Sequence, residues 1–186
     1  MTPFLTKIAK EIYTISGIFT PQECRYYIRL SELYGFEAAK VHMPSGQKMV
    51  KNIRNNDRVM MISKDISEKI ESKVAHCLPQ IFDDMEAMGL NDLIRFYRYN
   101  ENQRFKMHKD GRYKASDTVE SRLSFLLYLN DNYTGGETKF RNQKIKIKPK
   151  SGMALCFVHE QWHEGSPLIE GQKYVLRTDV MYKKKQ

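Results

Sequence analysis

Cysteine is scarce in this chain, with three among 186 residues. Cys24, Cys77 and Cys156 form no CxxC pair, and the count is odd. That argues against a disulfide framework and for free buried thiols in a reducing compartment. Long apolar runs are also missing, so no transmembrane helix and no membrane partner are expected. The opening MTPFLTKIAKEIY breaks its short apolar stretch with Lys7 and Lys10. It lacks the basic, apolar and small-residue order of a secretory signal. These absences together point to a cytoplasmic protein. Nothing repeats, and no segment is of low complexity.

The length predicts one domain spanning residues 1–186, and an apolar fraction of 41% suffices for a proper core. Net charge is +9, which keeps nucleic acid, an acidic partner or an anionic cosubstrate open. The lysines are dispersed, however, and the densest cluster, Lys144, Lys146, Lys148 and Lys150, alternates with Ile145 and Ile147. That is the pattern of an edge strand with one wet face, so no specific nucleic-acid site is expected.

The first half, residues 1–92, reads as a mainly helical support region. Thr20 can cap a helix, Pro21 suits its first position, and Glu23 closes a capping box; the helix should run to about Leu33, before Gly35. Ile66, Ile70, Val74, Cys77 and Leu78 form one stripe of a second helix over 63–78. Ile81, Phe82, Met85 and Met88 suggest a third, ending near Gly89.

From Leu93 the texture changes to short β-branched and aromatic runs: IRFYRY, RLSFLLYLND, ETKF, KIKIK, MALCFV and KYVLRTDVMY, separated by turn residues. Many short strands after a helical block predict a sandwich or jelly roll over residues 93–182, closing over an interior pocket.

His108 and Asp110 lie two apart, so an extended segment points both to one side. His163 follows the run MALCFV. Two histidines and one carboxylate on one face of an octahedral iron leave three positions open for other ligands, as a non-haem oxygenase requires. Zinc or manganese could take the same residues.

Around these residues a set of motifs runs in order. Tyr99 to Asp110 carries a tyrosine, a turn, Phe105 and HxD. Arg122 to Asn130 ends in Tyr-Leu-Asn. Gly135 to Phe140 reads GGxTxF, and Pro149 to Ala154 reads PxxGxA. His163 is followed ten residues later by Lys173. The stretch from Tyr97 to Tyr182 resembles the catalytic domain of the prolyl-4-hydroxylase-like Fe(II)/2-oxoglutarate-dependent dioxygenases. In place of the glycines common before HxD stands Asn-Glu-Asn-Gln-Arg, which keeps a hairpin feasible but implies a different lip toward substrate.

The resemblance implies an α+β chain: a double-stranded β-helix (jelly roll) core with N-terminal helices packed on one sheet. It implies His108, Asp110 and His163 as catalytic metal ligands. The cofactors would be Fe(II), 2-oxoglutarate and O2, with ascorbate an optional addition. By position Lys173 would hold the far carboxylate of 2-oxoglutarate. Arg177 shares its strand face and could bind the other carboxylate end or pair with Asp179. Tyr128 resembles the tyrosine that donates to the far carboxylate, and Tyr99 one that lines the pocket. His159 is spaced too far from Lys173 to fit the pattern. The implied reaction hydroxylates an unactivated C–H bond, releasing succinate and CO2, in a protein, peptide or small-molecule partner. Substrate contacts are expected from Gly111 to Glu120 and from Lys51 to Arg58. Two rival readings are a nucleic-acid-directed oxygenase, whose first residues to test would be Lys51, Arg54, Arg58 and Arg112, and a metal-binding jelly roll without turnover.

Overall fold

The computed structural model describes every residue except Met1, Lys40, Pro44, Ser45, Met49, Lys51, Gln143 and Gln186. Lys51, expected to contact substrate, therefore lies outside the described residues. Among the described residues, two α-helices and two main antiparallel sheets make up the architecture. The large sheet runs in the order Phe4–Ala9, Ile12–Ser16, Ala154–Val158, Val119–Tyr128, Lys173–Lys184, Leu93–Tyr99, Asp57–Ile62 and Glu37–Ala38. Opposite it stands a 4-stranded sheet ordered Phe105–His108, His163–Gly165, Thr138–Phe140 and Ile145–Ile147. The KIKIK run occupies the edge of this smaller sheet, with Lys146 exposed and Ile147 buried.

The period of two along the central strands separates two apolar clusters. Leu123, Phe125 and Leu127 alternate with Leu126 and Tyr128, and Leu176 and Val180 alternate with Val175. The first set joins Cys24 and Tyr27 of helix α1 (Pro21–Tyr34) and Ile66, Ile70 and Val74 of helix α2 (Lys64–Val74) in one buried cluster. The second set faces inward with Phe140, Ile147 and Phe157, where residues of both sheets meet. Cys24, Cys77 and Cys156 are free and buried.

The capping box forms as read: Thr20 accepts from the Glu23 amide, Glu23 returns to the Thr20 amide, and Gly35 at φ 78° ends α1. Ser63 caps α2, whose last turn tightens into a 3-10 segment at Ala75–Cys77. The expected third helix is wrong. Ile81–Phe82 and Met85–Leu90 form a hairpin instead, with Asp83 and Asp84 at φ 46° and 59°. Two successive left-handed residues are the turn that matches strand twist, and this local chemistry beats the three-and-four spacing of the apolar residues. The mainly helical reading of residues 1–92 fails more widely, since Phe4–Ala9, Ile12–Ser16 and Asp57–Ile62 are also strands of the large sheet. No described helix is long and apolar enough to cross a membrane.

Candidate active site

His108 ends its strand directly opposite His163 in the ladder of the smaller sheet. Just beyond, the Asp110 amide donates to the His159 carbonyl at 3.0 Å, which turns the aspartate back toward both rings. The His108 Nε2 lies 3.5 Å from Asp110 Oδ1, and the His163 Nε2 lies 3.6 Å from Oδ2. One ligand atom from each of the three residues falls within 4.8 Å of the others.

The outer ring nitrogens fix the tautomers. His108 Nδ1 is 2.7 Å from the Lys106 carbonyl, and His163 Nδ1 is 3.0 Å from the Gln161 carbonyl. A carbonyl only accepts, so each Nδ1 carries the hydrogen, and in the neutral ring each Nε2 keeps a bare lone pair. Burial pushes the His163 imidazole down to about 4, which keeps it neutral near pH 7. Burial alone would raise the Asp110 carboxyl, but the Arg177 guanidinium and the two imidazoles hold it well below the usual range. Two neutral nitrogen donors and one carboxylate converging on one point suit iron(II), so the residues present fit the metal.

Asp110 is itself held from behind. Ser124 Oγ donates to its Oδ2 at 2.6 Å, and Arg177 Nη1 reaches its Oδ1 at 2.9 Å. Ser124 also meets His159 Nδ1 at 2.9 Å, and His159 Nε2 meets Ser121 Oγ at 2.9 Å. Because the Ser124 hydrogen goes to the carboxylate, its oxygen accepts from His159 Nδ1–H. His159 Nε2 then accepts from Ser121, which itself receives the Tyr113 amide at 2.8 Å. His159 is thus a fully buried link behind the aspartate and stands outside the three-residue cluster.

Beside the cluster lies a cavity lined by Tyr99, Tyr128, Thr138, Lys173, Val175 and Arg177 together with His108 and His163. Lys173 is 4% exposed and has no carboxylate in ion-pair contact among the described residues. Its Nζ donates to the Gly136 carbonyl at 2.5 Å and lies over the rings of Tyr99 and Tyr128 at 5.4 and 5.3 Å. Burial lowers this ammonium to about 7. The GG turn explains the close carbonyl: at Gly136, φ 66°, a Cβ would sit 3.2 Å from Lys173 Cδ and 3.1 Å from Leu168. Tyr128 and Thr138 share a hydroxyl hydrogen bond of 2.9 Å within the same cavity. A lone buried cation beside hydroxyl groups is the chemistry a far carboxylate requires.

All seven residues singled out in the sequence, His108, Asp110, His163, Lys173, Arg177, Tyr128 and Tyr99, thus gather at one place. Arg177 is nearer to Asp110 than its reading as a cosubstrate anchor supposed, and its Nη2 also reaches Asp179 at 3.6 Å. Of the two stretches expected at the substrate side, Ile53, Arg54 and Arg58 line a second cleft against Tyr97, His108 and Asp110. The segment from Gly111 to Glu120 lies outside that lining: Arg112 pairs with Glu120 and Glu160, and Lys114 with Asp117.

Residues 94–178 match the family model of the 2OG-Fe(II) oxygenase superfamily. The chain is 27% identical over 183 residues to a putative prolyl 4-hydroxylase of Acanthamoeba polyphaga mimivirus, spanning 88% of this chain and 71% of that one. It is 22% identical to prolyl 4-hydroxylase 1 of Arabidopsis thaliana, spanning 92% and 69%. Among solved structures, the viral collagen prolyl hydroxylase of Paramecium Bursaria Chlorella virus-1 in its 2OG complex superposes with TM-score 0.65 at 22% identity, covering 94% of this chain and 97% of that one. A Pseudomonas putida prolyl-4-hydroxylase gives TM-score 0.65 at 16% identity, covering 94% and 93%. The shared fold is the jelly roll of these oxygenases.

Proposed function

We propose that the chain is a prolyl 4-hydroxylase-like 2OG-Fe(II) oxygenase, a dioxygenase using iron(II), 2-oxoglutarate and O2, and that it hydroxylates an unactivated C–H bond of an amino-acid residue in a peptide or protein, or of an amino-acid-like small molecule. His108, Asp110 and His163 would hold the metal. The observation that carries this reading is the convergence of both imidazole Nε2 atoms on the two oxygens of Asp110, next to a buried lysine that has no carboxylate in ion-pair contact among the described residues.

When bound, iron(II) supplies the redox chemistry that splits O2 between 2-oxoglutarate, which leaves as succinate and CO2, and the substrate carbon, which gains a hydroxyl. The protein's part is placement. The Lys106 and Gln161 carbonyls hold both rings in the tautomer that offers Nε2. Ser124 and Arg177 fix the carboxylate in one orientation. Lys173 would take the far carboxylate as a point charge, with the Tyr128 and Thr138 hydroxyls beside it, while Tyr99 walls the cavity. Phe105 stacks on His108 with centroids 3.5 Å apart and shields that ring from water.

Anaerobic titration with iron(II) and then 2-oxoglutarate tests the reading. The visible charge-transfer band of a chelated 2-oxo acid should appear, and His163→Ala should abolish it. Lys173→Ala should keep iron binding but require more than tenfold more 2-oxoglutarate, because truncating one partner of a buried charge pair costs roughly 2–5 kcal/mol. A protein that binds iron without ever binding 2-oxoglutarate would instead be a metal-binding module without turnover.

A further inference from the structure

The second cleft is more cationic than the first and is unaccounted for by cosubstrate. Arg54, Arg58, Arg95, Lys109 and Arg177 line it against the one carboxylate of Asp110. Two of these are balanced: Arg177 sits on Asp110, and Arg95 Nη1 reaches Asp179 at 3.1 Å. Arg54 and Arg58 have no carboxylate within ion-pair distance among the described residues. Arg54 is 4% exposed; its Nε donates to Asn56 Oδ1 at 2.7 Å, and its Nη2 has no hydrogen-bond partner. A buried guanidinium with an unused donor is costly unless something else completes it.

The position of Arg54 ties that donor to the chemistry. Its guanidinium lies 4.5 Å from the ring centres of both Tyr97 and Phe105, and Phe105 stacks on the candidate ligand His108. The positive field is strong enough that the fully buried Tyr97 hydroxyl, which burial would raise, is drawn down to about 8 by Arg177, Arg54 and Arg95. The two charges of a bound divalent metal would be offset by Asp110 and the near carboxylate of 2-oxoglutarate, so Arg54 and Arg58 remain unmatched cations of the cleft. A neutral substrate would leave this charge unmatched, whereas a carboxylate would meet the guanidinium fork in its preferred geometry.

We propose that the substrate carries a carboxylate close to the carbon that is hydroxylated, and that Arg54 and Arg58 bind it. The substrate is then an acidic or C-terminal residue, or a free amino acid. The inference rests on the oxygenase reading above and narrows its substrate class. Arg54 and Arg58 act as binding residues, and Arg177 remains the support of Asp110.

Calorimetry on protein loaded anaerobically with iron(II) and saturating 2-oxoglutarate tests it. The probes are the twenty N-acetyl amino acids and their amides, N-acetyl-phosphoserine amide and a short oligothymidylate. At least one acid should bind ten or more times more tightly than its own amide, and Arg58→Gln should erase that gap while leaving the amide and 2-oxoglutarate affinities unchanged. Arg54→Gln should do the same if it folds; Arg58, partly exposed and without an ion-pair partner among the described residues, keeps the test decisive if it does not. The proposal is overturned if no acid outbinds its amide, or if the gap survives in the Arg58 variant. Tighter binding of the phosphate probes would replace carboxylate with phosphate. Failure of the unmodified protein to bind 2-oxoglutarate would strike the oxygenase reading itself and be seen before any probe is added.

Discussion

The two faces of the large sheet are made by the same strands and do opposite work. On the helix side, Leu123, Phe125, Leu127, Leu176 and Val180 are 0% exposed and entirely apolar. On the inner side, the neighbours of those residues include Ser124, Tyr128, Lys173, Arg177 and Asp179, all buried and all polar. Ser124 stands opposite Asp179, and Leu126 opposite Arg177, in one ladder. Burying a polar group stabilises nothing unless it is paired, and Lys173 and Arg54 are each left short of an anion. One face therefore stabilises the fold, and the other holds charge in place for ligands at a cost in stability. Substitutions should separate along that line.

The largest effect should come from Asp110→Ala on the inner face. Iron binding should be lost while the protein stays folded, with a lower thermal midpoint because the buried Arg177 loses its 2.9 Å partner and keeps only Asp179 at 3.6 Å. Circular dichroism melting with and without metal checks this, and normal metal uptake by the variant would break the contrast. Phe125→Ala on the helix face should cost stability alone. Emptying a fully buried phenyl site costs about 3–5 kcal/mol, seen as a lower denaturant midpoint. The protein that remains folded should bind iron and 2-oxoglutarate as before.

Why the inner face was readable follows from what its residues are. HxD, the GG turn and Lys173 are local patterns with fixed spacing, and the two-residue spacing predicts His108 and Asp110 on one side, although it is the bond from the Asp110 amide to the His159 carbonyl that turns the aspartate toward the rings. In KYVLRTDVMY the period of two puts Lys173, Val175 and Arg177 on one face. What escaped depends on contacts distant in sequence. Ser121 and Ser124 interrupt an apolar strand, which signals buried hydroxyls needing partners, but nothing in the order of residues says that His159 supplies them. Arg54 lay in a stretch expected to meet substrate, yet its seat between Tyr97 and Phe105 arises only when Lys106 bonds back to Ile53. The first 92 residues misled because their strands pair with partners far along the chain. Ile12–Ser16 needs Ala154–Val158, and Asp57–Ile62 needs Leu93–Tyr99, so local periodicity carried little of that information.

A smaller effect should come from the hydroxyl behind the aspartate. Ser124→Ala removes the 2.6 Å bond to Asp110 and leaves His159 Nδ1–H without its acceptor. Loss of a partner that orients a ligand typically costs 10–100-fold in metal affinity. Iron affinity measured by competition with a chelator should fall within that range. Ser124→Thr keeps the hydroxyl and should recover most of it. Equal affinity in the alanine variant would show that Arg177 alone orients Asp110.

The smallest expected effect is a pH dependence. Lys173 titrates at about 7 in the folded protein, against 10.5 for a free lysine side chain. The unfolded chain therefore holds more protons between those values, so folding stability without ligand should rise as pH increases across that window. Cosubstrate binding has the opposite sign. A carboxylate prefers the charged ammonium, so 2-oxoglutarate affinity should fall as pH rises above about 7, by at most about tenfold per pH unit. Tyr97, at about 8 against 10, also adds stability with rising pH, so the melting curve alone does not isolate the lysine. The difference between the unmodified protein and Lys173→Met does, because Tyr97 is present in both. Calorimetry at pH 8 in buffers of different ionisation enthalpy should show proton uptake on binding 2-oxoglutarate, and that uptake should vanish in the methionine variant. Proton uptake that persists there would move the anchoring charge from Lys173 to another group.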